Sequence, residues 1–158
     1  MAMSQYMARL RSKIGTDLLL VPAAGAAVFD DKGRLLLGRH VHDNRWATIG
    51  GGMEPGESPQ EAALRELQEE TGFTAGILGV VGVYGGPAFE VTYPGGAQVA
   101  YVVAMYACQF LGGEPTPQYE ELHEIGWFSP EDAALLPQPP DMSQIIPDAF
   151  SWWKELAT

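Results

Sequence analysis

Apolar residues in this chain recur with two rhythms. SQYMARLRSKIG (4–15) sets Tyr6, Leu10 and Ile14 at helical spacing between Ser4 as cap and Gly15 as stop, which predicts a short helix over 3–14. LLLVPAAGAAVF then runs apolar to Asp30-Asp31-Lys32-Gly33 and resumes as RLLLGRH, the pattern of a β-hairpin. A further short strand is expected over 44–49, leading into three glycines. TAGILGVVGVYGG, AQVAYVVAMYACQFLGG and EIGWF are rich in Val, Tyr and Phe and read as strands, with turns at Gly85-Gly86-Pro87 and Tyr93-Pro94-Gly95-Gly96. SPEDAALL opens as a helix that the prolines of 137–140 stop. A last helix is expected over 142–157, with Ile146, Phe150, Trp153 and Ala157 along one face. Strands interleaved with helices specify an α/β or α+β layered fold. The 18 residues after PQPPD (137–141) are too few for a second domain, so 1–158 reads as one domain with a helical extension at each end.

The most informative stretch is 50–73, GGGMEPGESPQEAALRELQEETGF. Ser58 and Glu61 have the spacing of a capping box, Pro59 suits the first helical position, and Gly72 suits the left-handed residue past the end, so a helix spans about 58–71. At about 100° per residue, Glu66, Glu69 and Glu70 share an arc about 100° wide. Ala63, Leu64, Leu67 and Thr71 take the adjacent arc and are expected to pack on the sheet, which leaves the carboxylates at the edge of the buried face. A solvated acidic surface is one reading; a hard-cation site, with carboxylate oxygens for Mg²⁺ or Mn²⁺, is the other. Glu54 and Glu57 add two acids in front of the helix. Gly50, Gly51 and Gly52 give the backbone freedom to approach a ligand or to turn with positive φ.

Charge changes the picture further. The formal net charge is −11; residues 1–65 carry eight Lys/Arg and seven Asp/Glu, whereas 66–158 carry Lys154 alone against thirteen acids. Such a surface repels nucleic-acid polymers and anionic membranes, both bound mainly through Lys/Arg, but accepts a small phosphorylated ligand if a metal supplies positive charge. The apolar run 18–29 covers 12 residues, contains Pro22 and is too short to span a bilayer. Cys108, the one cysteine, reads as a small core hydrophobe and fits a reducing compartment. A cytoplasmic protein is expected.

Gly51, Glu57, Arg65, Glu66, Leu67, Glu69, Glu70, Gly72 and Phe73 resemble the signature of the Nudix hydrolases, G-x5-E-x7-R-E-U-x-E-E-x-G-U, at all nine fixed positions over 23 residues. Outside this box, Trp46 before it and the acidic loop before Trp127-Phe128 follow the family's order, so the resemblance covers most of 20–135. It implies an α/β/α sandwich with a mixed β-sheet, of MutT-like or ADP-ribose pyrophosphatase-like kind. It also implies Mg²⁺- or Mn²⁺-dependent hydrolysis of a nucleoside diphosphate linked to another moiety, such as a (d)NTP or ADP-ribose. By position, Glu66, Glu69 and Glu70 would be metal ligands, with the Gly51 carbonyl as another; Arg65 would orient the glutamates through Glu57. Family members often draw a general base from a loop outside the box, here 119–124, where Glu121 is favoured and Glu120 comes next. Ile49-Gly50-Gly51-Gly52 departs from the family's Leu-Pro-Gly-Gly and loosens the loop geometry. A non-catalytic nucleotide sensor on the same fold is the alternative, and the intact box argues against it.

Arg39 and Arg45 are the candidates for contacting phosphate, since they lie near the box in a chain short of cations. Pro87 does not match well the proline of ADP-ribose-cleaving members. Tyr84, Phe89 and Tyr93 could stack on a base, but core or rim positions suit them as well. His40, His42 and His123 lack metal spacing. The N-terminal helix and Trp152-Trp153 look like packing surfaces, and by family resemblance a homodimer is their expected use.

Overall fold

The computed structural model describes residues 3–116 and 120–158. The elements in chain order are α1 (Gln5–Ile14), β1 (Leu19–Phe29), β2 (Leu35–His40), β3 (Trp46–Ala47), β4 (Ile49–Gly52), α2 (Pro59–Thr71), β5 (Thr74–Tyr84), β6 (Glu90–Thr92), β7 (Gln98–Gly112), β8 (Leu122–Phe128), α3 (Pro130–Ala134) and α4 (Met142–Leu156). Among the described residues eight strands form one mixed sheet, ordered β3-β2-β1-β7-β5, with β4 on β1, β6 on β7 and β8 on β2. β1 and β7 run parallel from Leu19↔Val99 to Phe29↔Gln109, and the other pairs are antiparallel.

Strand alternation divides the core into two layers. Ala24, Ala26 and Val28 of β1 join Ala62, Ala63 and Leu67 of α2 on one face. Ala27 and Phe29 join Ile145, Ile146 and Ala149 of α4 on the other. The result is an α/β/α sandwich. Cys108 is fully buried in the α2 layer, where burial pushes its thiol up to about 12 and makes it a packing residue.

The hairpin forms at Asp30–Gly33 but pairs only at Phe29↔Leu35. Beyond that point β1 leaves β2 and pairs with β4, from Ala23↔Gly52 to Ala26↔Ile49, while β2 continues on β8. The three glycines therefore lie in a strand rather than a loop, and none of them has positive φ. Close backbone approach explains the residue type at one of them: a Cβ on Gly50 would meet Ala24 O at 2.7 Å and Gly25 Cα at 2.8 Å. The expected strand over 44–49 is accordingly two short pieces, β3 and β4.

β5 departs from plain alternation. Its pairing with β7 shifts register between Thr74 and Ala75, Ile77 and Gly79, and Val80 and Gly82. Repeated bulges at the end of the sheet path twist the strand and blunt its edge. Trp152 of α4 lies over Gly79, where a Cβ would come within 2.6 Å of its ring, and Trp153 stacks on Phe29 at 4.6 Å. Both tryptophans thus pack on their own sheet. No helix of the described residues is long and apolar enough to cross a membrane.

Asp30 fastens the hairpin turn. It accepts from the backbone N–H of Lys32 (3.0 Å) and Arg34 (2.8 Å) and from Arg34 Nε (2.7 Å). Burial opposes ionisation, but these bonds outweigh it and hold the carboxyl below its ordinary value. A depressed folded pKa contributes stability above the unfolded value of about 4 that is lost as pH falls through the folded one. Asp30→Asn should therefore be less stable than the parent in urea at pH 7, with the difference constant above about pH 5 and shrinking below about pH 4.

Candidate metal and active site

α2 begins as its sequence specifies. Ser58 Oγ accepts from Glu61 N at 3.2 Å, Glu61 reaches back to Ser58 N at 3.3 Å, and Gly72 closes the helix with φ 80°. A side chain at Gly72 would collide with Thr116 Oγ1 and the Glu114 carbonyl, so this glycine also admits the 114–116 segment against the helix end. The helix is rolled differently from the expectation. Its buried residues are Ala62, Ala63, Glu66, Leu67, Glu70 and Thr71, while Leu64 is only half-buried. At about 100° per residue this arc is centred between Ala63 and Glu70 and includes Glu66, so the two carboxylates lie within the packed face rather than beside it. They are 1% and 2% exposed, and Glu69, with a side chain 51% exposed, is the one at the rim.

Arg65 makes this burial tolerable. Its guanidinium donates to Glu57 through Nε (2.9 Å) and Nη2 (2.7 Å), to the Gly52 carbonyl (3.1 Å), and through Nη1 to Glu66 (3.0 Å) and Glu69 (3.2 Å). Glu57 also accepts the Glu54 N–H at 2.7 Å. The Arg65 bonds hold Glu57 below its ordinary carboxylate value. Burial pushes Glu66 up in spite of Arg65.

Glu70 is further from compensation. Its Oε2 is buried with no hydrogen-bond partner. The carboxyl groups of Glu66 and Glu121 lie in hydrogen-bonding range of it, and burial together with their charges holds Glu70 far above the carboxylate range. An unpartnered, buried Glu70 oxygen facing two further carboxyls calls for a proton or a cation. Hard oxygen donors suit Mg²⁺ or Mn²⁺, so the residues fit such an ion chemically. Among the described residues no three acidic, imidazole or thiol groups already surround one cation position.

Glu121 reaches the cluster because β8 follows β2: Val41 N donates to the Glu121 carbonyl at 2.8 Å, and the adjacent Leu122 is fully buried. Glu120 is exposed, and Tyr119 lies outside the described residues. Gly51 is in β4 opposite Ala24. Arg39 is engaged elsewhere, by Glu124 (2.9 Å) and Asn44 (3.0 Å), and Arg45 is exposed in the same β2–β3 turn. Neither contacts a box residue through these bonds, although the turn adjoins Glu121. Tyr84 and Phe89 stack on each other inside the core, with Tyr84 donating to Asp148 at 2.8 Å; Tyr93 is exposed and bonded to Tyr101. His40 is half-buried near Glu121, and His42 and His123 are exposed.

Two contributors were not read from the sequence. The Gly52 carbonyl is a backbone acceptor and leaves no residue-type signal. Thr71 Oγ1 donates to the Leu67 carbonyl at 2.7 Å and accepts the Phe73 N–H at 3.1 Å, closing the helix beside Glu70. A threonine one place before the helix-ending glycine was the available cue.

Comparison with known proteins bears on the family and the fold. The family model described as NUDIX domain matches residues 19–149. An RNA pyrophosphohydrolase of Erythrobacter litoralis is 35% identical over 141 residues, 87% of this chain and 76% of that protein. A MutT-like protein of Streptomyces ambofaciens is 27% identical over 129 residues, 82% of this chain and 76% of that one. The crystal structure of a MutT protein from Methanosarcina mazei Go1 superposes with a TM-score of 0.70 at 20% identity, covering 90% of this chain and 98% of that one, a likeness of fold.

The Arg65 contacts differ in exposure and should differ in energy. Arg65→Lys, which cannot reproduce the planar fork on Glu57, should lower the free energy of unfolding in urea by about 2–3 kcal/mol. Glu69→Gln, at the exposed end of the same guanidinium, should change it by less than about 0.5 kcal/mol.

Proposed function

We propose a substrate class and a catalytic arrangement from one premise: the chain belongs to the NUDIX domain family, whose model covers residues 19–149. It is a hydrolase of phosphoric anhydride bonds. Its substrate is a nucleoside diphosphate linked to another moiety, such as a (d)NTP or ADP-ribose, and the reaction depends on Mg²⁺ or Mn²⁺.

The observation that carries this reading is the meeting of Glu121 with the buried Glu66 and Glu70, where one Glu70 oxygen has no partner. Glu66, Glu69, Glu70 and the Gly51 carbonyl would hold the ion. Bound there, it supplies charge to offset the pyrophosphate, polarises a phosphoryl oxygen and lowers the pKa of water. Glu121, next to Glu70 but on a separate segment, is the proton acceptor for the attacking water. Arg65 and Glu57 act as positioning residues, since they contact the ligand glutamates and the β4 backbone rather than reacting atoms. Arg39 at the end of β2 and Arg45 in the β2–β3 turn lie beside the segment that carries Glu121, where a phosphate could draw Arg39 from Glu124.

A small nucleotide suits this surface better than an RNA end. The relative from Erythrobacter litoralis is named for RNA. In this chain residues 66–158 oppose thirteen acids with one lysine, and a polymer is bound through many phosphate contacts at once.

A phosphate-release screen with Mg²⁺ over nucleoside triphosphates, nucleotide sugars, dinucleoside polyphosphates, ADP-ribose and a 5′-triphosphorylated oligoribonucleotide tests the reading. Turnover is expected on a small nucleotide and not preferentially on the oligoribonucleotide. Glu70→Gln, nearly equal in volume, should lower turnover by orders of magnitude with an unchanged circular dichroism spectrum. If nothing is hydrolysed and Glu69→Gln binds nucleotide as well as the parent, the chain is a sensor instead.

A further inference from the structure

Helix α1 is fixed in place without being packed down. None of its residues is buried, yet Arg11 ties it to three backbone carbonyls, of Asp17 (2.6 Å), Gln98 (2.7 Å) and Gly15 (3.2 Å). Between this helix and the sheet lies a groove of about 370 Å³, lined by Tyr6 and Leu10 of α1, Leu20 and Pro22 of β1, and Met53 and Glu57 of the β4–α2 loop. Leu20 is 69% exposed and Tyr6 43%, so apolar surface faces water here.

Three features say what fits. Glu57 lines the groove, and its carboxylate binds Arg65, which in turn contacts Glu66 and Glu69. The groove wall is thus two hydrogen bonds away from the carboxylate cluster. Its charged lining side chains are Glu54 and Glu57, with no Lys or Arg, so a phosphate is repelled while an uncharged group is not. The volume lies within the range of about 300–1,000 Å³ typical of small-molecule sites. A tyrosine ring and methionine side chains suit a flat aromatic surface, and a carboxylate suits ring N–H donors.

Resting on the function proposed above, we infer that this groove binds the uncharged planar end of the substrate, a nucleobase, while the diphosphate lies at Glu66, Glu69 and Glu70. α1 is then a specificity element of the site. Its wall is pre-formed by Arg11, which reduces the ordering cost of binding.

Calorimetric titration of the full chain in Mg²⁺ with two probes, the α,β-methylene analogue of GTP and tripolyphosphate, tests this. The parent is expected to bind the nucleotide analogue more tightly. Tyr6→Ala should weaken it by about tenfold or more, the effect of losing one base–aromatic stack, and leave tripolyphosphate unchanged. Leu20→Ser, at a position exposed enough to leave the fold intact, should act in the same direction. Equal weakening of both probes, no change with either variant, or conversion of a dimer to monomers by Tyr6→Ala would each overturn the groove assignment. A parent that binds tripolyphosphate but gains nothing from the nucleoside removes the groove alone. One that binds neither removes the proposed function as well.

Discussion

The structure depends on burying two carboxylates in the face that attaches α2 to the sheet. Removing an isolated carboxylate from water costs several kcal/mol, so Glu66 and Glu70 at 1% and 2% exposure require nearby compensation. Arg65 supplies it for one of them, and its fork reaches further: Glu57 in the loop, the Gly52 carbonyl in β4, and Glu66 and Glu69 on the helix. Strand, loop and helix are thereby held by a single guanidinium, a role for which the point charge of a lysine is unsuited. Glu70 is left outside this network with an unpartnered oxygen. The fold thus tolerates the acidic cluster and leaves part of it uncompensated at the place where a cation suits the reaction.

Sheet topology delivers the remaining carboxyl. β1 divides its free edge between β4 and β2, and β2 carries β8 with it. Segments near 52–57, 66–70 and 121 then converge although they are far apart in the chain. Glycines permit the approach where side chains would block it. A Cβ on Gly38 would meet both Leu122 methyl groups at 2.9 Å, so the glycine lets Leu122 bury fully and anchor the residue before it, Glu121. Gly50 does the same for β4 against β1.

Much of this was legible in the sequence because it is local. The capping box, Pro59 and Gly72 bounded α2 correctly, since each acts through its own backbone neighbours. The hairpin turn followed from Asp and Gly between apolar runs, the long strands β5 and β7 from their Val, Tyr and Phe content, and the final helix from periodicity. What escaped depends on partners distant in sequence. The glycine run reads as a loop until Gly25 is seen opposite Gly50, and the roll of α2 toward Glu66 cannot be guessed without the groove it packs into. Bulges in β5 arise where a glycine every third residue conflicts with a period of two, a signal present in GILGVVGVYG but weaker than its valines. Glu121 was favoured over Glu120 by its distance to Trp127, and the structure sets it beside Glu70.

Charge placement ties these features to chemistry. The molecule carries −11, and two of its arginines are engaged, Arg65 by Glu57, Glu66 and Glu69 and Arg39 by Glu124 and Asn44. A polyphosphate approaching the bare carboxylates therefore meets mainly repulsion, unscreened over the few ångströms that matter. In the proposed reaction its negative end is accepted only when divalent charge accompanies it, so the metal would serve binding as well as bond cleavage. The proposed groove beside α1 presents no such barrier to an uncharged end, since apolar side chains and two acids line it. On that proposal, opposite demands at the two ends of one ligand give the site a polarity, and the polarity would set which way round a nucleotide enters.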